Sequence, residues 1–215
     1  MEYYRLLNEL VNEREGGSEA AEIILYSVNF GPIKKMTEAV DWQGISAIIC
    51  HAARVLEKAG ADCLMLGANT IHKIAPDIQA SISIPLIHIA TITAHAINRQ
   101  NMKRIALLGT KYTMQLDFYK NALAQYGIET LVPIEKDIEL INKTIYTELG
   151  RNIFLPATRQ QYIAIINDLA GKGAEGVILG CTEIPMLIKQ SDSSIPIFDT
   201  TRLHAIAAVE FALGE

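Results

Sequence analysis

Two stretches of this chain repeat one another. Residues 56–70 (LEKAGADCLMLGANT) align without a gap on residues 169–183 (LAGKGAEGVILGCTE), at a constant spacing of 113 positions. Each copy reads as the end of a helix, a glycine turn, a buried strand and then small polar residues where the strand stops. A second echo follows each copy, SIPLI at 83–87 and SIPIF at 194–198. A repeat of this kind implies two similar supersecondary units sharing a core. The chain is expected to consist of two α/β halves, residues 1–97 and 98–200, with residues 201–215 packing back on the first half and a cleft between the halves.

Short apolar runs alternate with longer amphipathic stretches, the rhythm of Rossmann-like units with parallel sheets. The strand candidates are Ile23–Val28, Cys63–Gly67, Leu86–Ile89, Arg104–Leu108, Thr130–Pro133, Gly176–Gly180 and Pro196–Phe198. Helical patterns cover Tyr3–Arg14, Ile45–Ala59, Thr91–Arg99, Met114–Tyr126, Ile138–Leu149, Arg159–Ala170 and Thr201–Leu213. The repeat also predicts an asymmetry. The second half opens with a strand and a glycine loop, Arg104–Thr110, before its Asp117-Phe118-Tyr119-Lys120 helix, whereas the first half opens directly on Glu2-Tyr3-Tyr4-Arg5. The first half is therefore expected to lack an N-terminal strand and its loop.

Among 215 residues, 19 basic against 24 acidic side chains give a net charge of −5. That balance argues against a polyanion-binding surface, so no nucleic acid partner is expected. No apolar run approaches the roughly 20 residues that span a bilayer and no signal peptide opens the chain, so no membrane association and a cytoplasmic location are expected. Cys50, Cys63 and Cys181 are an odd number at no metal-ligand spacing, which reads as free thiols and no metal.

In parallel α/β sheets, ligands sit beyond the carboxyl ends of the strands. Ala68-Asn69-Thr70 and Cys181-Thr182-Glu183 occupy two such ends, and facing each other they would address a small molecule from opposite sides. Cys181 would lie at a helix start, where backbone N–H groups lower a thiol's pKa. Cys50 on a helix and Cys63 inside a strand read as packing. Ser27 and Asn29, and Thr110 and Thr113, also sit at strand ends, where uncharged donors suit the carboxylate of a small acid or amino acid. His72 and His204 border the same cleft as secondary candidates. The run Gly171-Lys-Gly-Ala-Glu-Gly176 matches a dinucleotide pattern in letters, but it ends a helix and precedes a strand, the reverse of the order that pattern requires.

These residues resemble the aspartate/glutamate racemase family, in particular its cofactor-independent amino-acid racemases. The resemblance runs through EYYRLLNE at 2–9, LYSVNF at 25–30, ANTIHK at 68–73, ALLGTKYTM at 106–114, DFY at 117–119, VILGCTEI at 177–184 and FDTT at 198–201. It implies two halves related by pseudo-twofold symmetry, a homodimer, no cofactor, and racemisation of a small amino-acid or dicarboxylate substrate. One residue of each half would face the substrate α-carbon, one removing a proton and the other returning one. By position Cys181 is the second-half acid/base, and Asn69, Thr70, Thr113 and Thr182 bind carboxylates, with Ser27, Asn29 and Glu183 lining the same site. The first-half acid/base position is Ala68, whose methyl group exchanges no proton. The family's N-terminal strand with its Gly-Gly loop has no counterpart here either. A decarboxylase-like enzyme, in which Cys181 alone protonates a carbanion, and a non-catalytic small-acid-binding relative therefore stand beside the racemase as alternatives.

Overall fold

The computed structural model describes residues 2–214. Its centre is the second half. Strands β1 (Arg104–Gly109), β2 (Glu129–Leu131), β3 (Gly176–Gly180) and β4 (Ile197–Asp199) form one parallel sheet in the order β2-β1-β3-β4. The continuous apolar runs of β1 and β3 follow from burial on both faces. Ala106, Leu108, Val177 and Leu179 turn to one face; Ile105, Leu107, Ile178 and Phe198 turn to the other.

Helices α8 (Glu135–Thr147) and α9 (Pro156–Gly171), with the four-residue α10 (Ile184–Leu187), cover the first face. The second face is covered by α7 (Asp117–Ala124) and by α5 (Ile89–Arg99), which arrives from the first half and buries Ile89, Ala90, Ala94 and Ile97 in the second-half core. Its counterpart α11 (Thr200–Leu213) does the converse, packing Ala205 and Val209 on Leu6, Leu10 and Val11 of α1 (Glu2–Glu15). Each half thus receives the last helix of the other.

The first half is thinner. Around the apolar face of α3 (Trp42–Lys58) gather Ile33 of α2 (Phe30–Glu38), Ile78 of α4 (Ala75–Ala80), and Leu64 and Leu66. Of the three strands expected here, Cys63–Gly67 and Leu86–Ile89 meet in a single parallel bridge, Leu64 with Leu86, and Ile23–Val28 forms no strand. That bridge sits where Val177 pairs with Ile197 in the second half. Residues 23–28 have the composition of a strand but no neighbour to pair with, so Ile24, Leu25 and Tyr26 are left exposed.

Two further differences have local causes. The expected helix Met114–Tyr126 breaks at Leu116, whose extended backbone (φ −74, ψ 150) separates α6 (Lys111–Gln115) from α7. The Gly171–Gly176 run closes α9, with Gly173 at φ +94 turning the chain into β3. Among the described residues no helix is long and apolar enough to cross a membrane.

Candidate active site

Strands β1 and β3 end side by side, with Gly109 opposite Gly180. A methyl group on Gly109 would lie 2.9 Å from the Gly180 carbonyl oxygen and 3.1 Å from Thr113, so glycine allows the two strand ends and the following turn to close up. The next residues are Thr110 and Cys181. Thr110 caps α6, its hydroxyl accepting from the Thr113 amide. From the first half comes Thr70, whose hydroxyl lies 2.8 Å from that of Thr110 and 3.1 Å from that of Thr113; Thr110 and Thr113 are themselves 3.1 Å apart. Three hydroxyls from both halves therefore meet at one point. Beside them the Asn69 amide donates to the Thr200 hydroxyl at 3.1 Å, and Thr200 donates to the Leu179 carbonyl of β3 at 2.9 Å. Asn69 Oδ1 is buried without a partner.

The Cys181 thiol donates to Glu183 Oε2 at 2.8 Å, and the Thr182 hydroxyl donates to the same oxygen at 2.7 Å. The structure corrects the expectation of a depressed thiol pKa. Burial pushes the Cys181 thiol well above its ordinary value, and the Glu183 carboxylate adds to the rise through its charge and its hydrogen bond. Backbone N–H groups of Thr182 and Glu183 act in the opposite sense and are outweighed. The resting group is a protonated thiol on a carboxylate. Tyr146 of α8 stands nearby; burial first, then the charges of Cys181 and its neighbours, push its phenol up to about 12.

Ala68 precedes Asn69 at the first-half strand end and offers only a methyl group. Ser27 and Asn29 line an open groove of about 450 Å³ against Ala47, Ile48 and His51 of α3, where Asn29 Oδ1 caps α2 by accepting from the Gly31 amide. Among the described residues neither hydrogen-bonds to the Cys181 or Thr70 groups. His72 and His204 are buried, 1% and 0% exposed, and form an edge-to-face trio of rings with His88. His72 Nδ1 lies 3.0 Å from the Ala68 carbonyl. Cys50 packs on α3 near Ser46, and Cys63 is half-buried. No group of three potential metal ligands occurs among the described residues.

Thr110 is named from the sequence as a strand-end donor but carries no assigned role there, and Thr200 and Tyr146 are missed as site candidates. Thr110 carries a signal, since it directly follows the strand-end glycine that pairs with Gly180. Thr200 and Tyr146 carry none, because they come from elements brought in only by the tertiary fold.

Comparisons with known proteins agree with this architecture. The family described as Asp/Glu/Hydantoin racemase matches residues 1–208. A structure from Yersinia pestis assigned as an Asp/Glu racemase is 43% identical, with a TM-score of 0.92 over 99% of this chain and 93% of that one. An aspartate racemase homologue from Pyrococcus horikoshii is 34% identical, with a TM-score of 0.86 over 98% and 92%. The broad specificity amino-acid racemase RacX of Bacillus subtilis is 28% identical over 81% of this chain and 75% of its own length. On the match across nearly the whole chain and the 43% identity, the chain belongs to the Asp/Glu/Hydantoin racemase family.

Proposed function

We propose that the protein is a cofactor-independent amino-acid racemase acting on aspartate/glutamate-type substrates, with Cys181 as its acid/base. The observation that carries this reading is the buried Cys181 thiol hydrogen-bonded to Glu183 at a strand end shared with the three-hydroxyl cluster of Thr70, Thr110 and Thr113. The hydroxyls and the Asn69 amide are uncharged donors of the kind that hold a carboxylate, and Thr182 joins them from the cysteine's side. The Glu183 carboxylate would repel a substrate carboxylate and is engaged with the thiol, so its part is to take the Cys181 proton. The thiolate then removes the substrate α-proton and later returns one, while donors on the carboxylate stabilise the charge that develops. Inversion needs a proton on the opposite face, where Ala68 has none to give, and water is the donor there.

The test is α-proton exchange in D₂O, followed by NMR with each enantiomer of several amino acids. Exchange that disappears in Cys181→Ala and persists in Cys50→Ala and Cys63→Ala supports the assignment; full exchange in Cys181→Ala sinks it. Ala68 specifically favours a second reading, in which Cys181 only protonates a carbanion left by loss of CO₂. Turnover of an arylmalonate with no α-proton exchange on any amino acid would establish that reading instead.

A further inference from the structure

We propose, on the reading of Asn69 and Thr70 as carboxylate binders, that His72 is the positioning residue of their turn. Its ring holds the Ala68 carbonyl from the buried side and thereby turns the Asn69 amide outward, toward the cleft.

His72 belongs to the short 3₁₀ turn Thr70–Ile74 that follows the first-half strand end, and its side chain is buried. Its Nδ1 lies 3.0 Å from the Ala68 carbonyl oxygen. A carbonyl only accepts, so Nδ1 carries the proton and Nε2 bears the lone pair. Nε2 is buried without a partner, so the ring has one hydrogen bond and spends it on one carbonyl. Burial, with the neighbouring His204 and His88, keeps the ring neutral. Packing fixes it from two sides: the His88 ring meets it edge-to-face at 4.9 Å between centroids and the His204 ring at 5.6 Å. His204 is in turn tied to Tyr3 and to the Ile87 carbonyl. A donor immobilised in this way loses little further freedom when it makes its bond.

The effect reaches the cleft through one peptide plane. No peptide bond among the described residues is cis, so the Asn69 N–H points away from the Ala68 carbonyl. With that carbonyl turned inward to His72, the amide is turned outward. It donates to no backbone carbonyl among the described residues, and Ala68 beside it is exposed. The His72 amide donates to the Asn69 carbonyl at 3.1 Å, which closes the turn, and Thr70 between them carries the hydroxyl that meets Thr110 and Thr113. Rotation of the Ala68–Asn69 peptide would withdraw the amide from the cleft. The second half is ordered differently. Pro185 stands where the repeat would place a second His72, and there the N–H groups of Thr182 and Glu183 act on the Cys181 thiol. Ala68 offers its turn no sulfur, and the turn is held from behind instead.

The test compares the native chain with His72→Leu, which fills the space without a donor, and with His72→Asn, whose side-chain N–H takes the place of Nδ1. Each ¹⁵N-labelled protein is titrated with aspartate, glutamate and succinate, the last a dicarboxylate with no α-amino group. The Asn69 amide should shift in the native chain. Affinity should fall by about tenfold in His72→Leu, in line with the loss of one hydrogen bond, and return to within about threefold of native in His72→Asn. A histidine that only fills space would not be replaced by the smaller asparagine. An Asn69 amide unmoved by all three ligands overturns the proposal, as does undiminished affinity in folded His72→Leu or an equal loss in both variants. Binding is read here without turnover, so the two readings fail separately. Exchange through Cys181 with an unmoved Asn69 sinks the positioning role alone, and a shifted Asn69 with no exchange on any amino acid sinks the racemase alone.

Discussion

The Tyr3 hydroxyl and His204 Nδ1 lie 2.9 Å apart, joining the first helix of the chain to the last across 201 positions. His204 Nε2 lies 2.7 Å from the Ile87 carbonyl. A carbonyl only accepts, so Nε2 carries the proton, Nδ1 is the acceptor, and Tyr3 donates. The ring is neutral and locks α1, α11 and the Leu86 bridge together. In the other half Tyr119 donates to Thr93 of α5 at 3.4 Å, the same kind of bond between corresponding helices.

This neutral ring makes stability depend on pH. Burial lowers His204 to about 4 from an ordinary value of 6.5. The unfolded chain takes up a proton as pH falls through 6.5, while the folded chain resists until about 4. The contribution is fully present above 6.5 and declines between those values, by about 3 kcal/mol as an upper figure. Urea midpoints measured from pH 7 to pH 4 should fall more steeply for the native chain than for His204→Gln. Parallel curves would show that His204 is not buried neutral.

Glu183→Gln removes the charge that helps hold the Cys181 thiol up. Alkylation of Cys181 followed against pH should shift to lower pH in the variant, since burial remains but the neighbouring carboxylate is gone. Turnover should nevertheless fall by roughly 10²- to 10⁴-fold, because the proposed acceptor of the thiol proton is lost. A variant that alkylates with an unshifted profile would detach Glu183 from the thiol.

The proposed mechanism, with Cys181 as acid/base and only a methyl group at Ala68, predicts unequal handling of the two enantiomers, one exchanging its α-proton for deuterium faster than it racemises. Ala68→Cys should raise racemisation by about 10²-fold or more, in the range a positioned acid/base contributes. No gain together with equal exchange of both enantiomers would place the second proton donor elsewhere in the first half.

Val40 follows the end of α2 with φ 58, and the Asp41 and Val40 amides return to Met36 and Thr37 in the helix-ending pattern that normally takes glycine. Its side chain is 62% exposed, so little packing compensates a β-branched residue in the left-handed region. Val40→Gly should raise stability by about 1 kcal/mol, read as a higher thermal midpoint. A lower midpoint would mean that the valine side chain makes a contact that matters more than its backbone strain.

The buried strands were readable because β1 beyond Arg104 and the whole of β3 are short, apolar and end in glycine, and because one copy of the repeat marks the other. Residues 23–28 misled for a physical reason: β propensity describes fitness for a sheet, and no partner strand is in place beside them. The helix α2 passed unseen because only Ile33 and Thr37 of its nine residues are buried, although Asn29 as its cap and Pro32 in its first turn were visible. At the site, Cys181, Thr70 and Thr113 were legible as strand-end or turn residues. The elevation of the Cys181 thiol was not, since it depends on how deeply the thiol is buried and on which Glu183 oxygen it meets.

The crossing of α5 and α11 says something about what a half of this molecule is. A half folded alone would expose the face that its neighbour's helix covers and would present its own last helix with nothing to cover. Two copies of such a half could satisfy each other only by trading those helices. The packing of α5 and α11 is that of a helix-swapped pair written as one polypeptide.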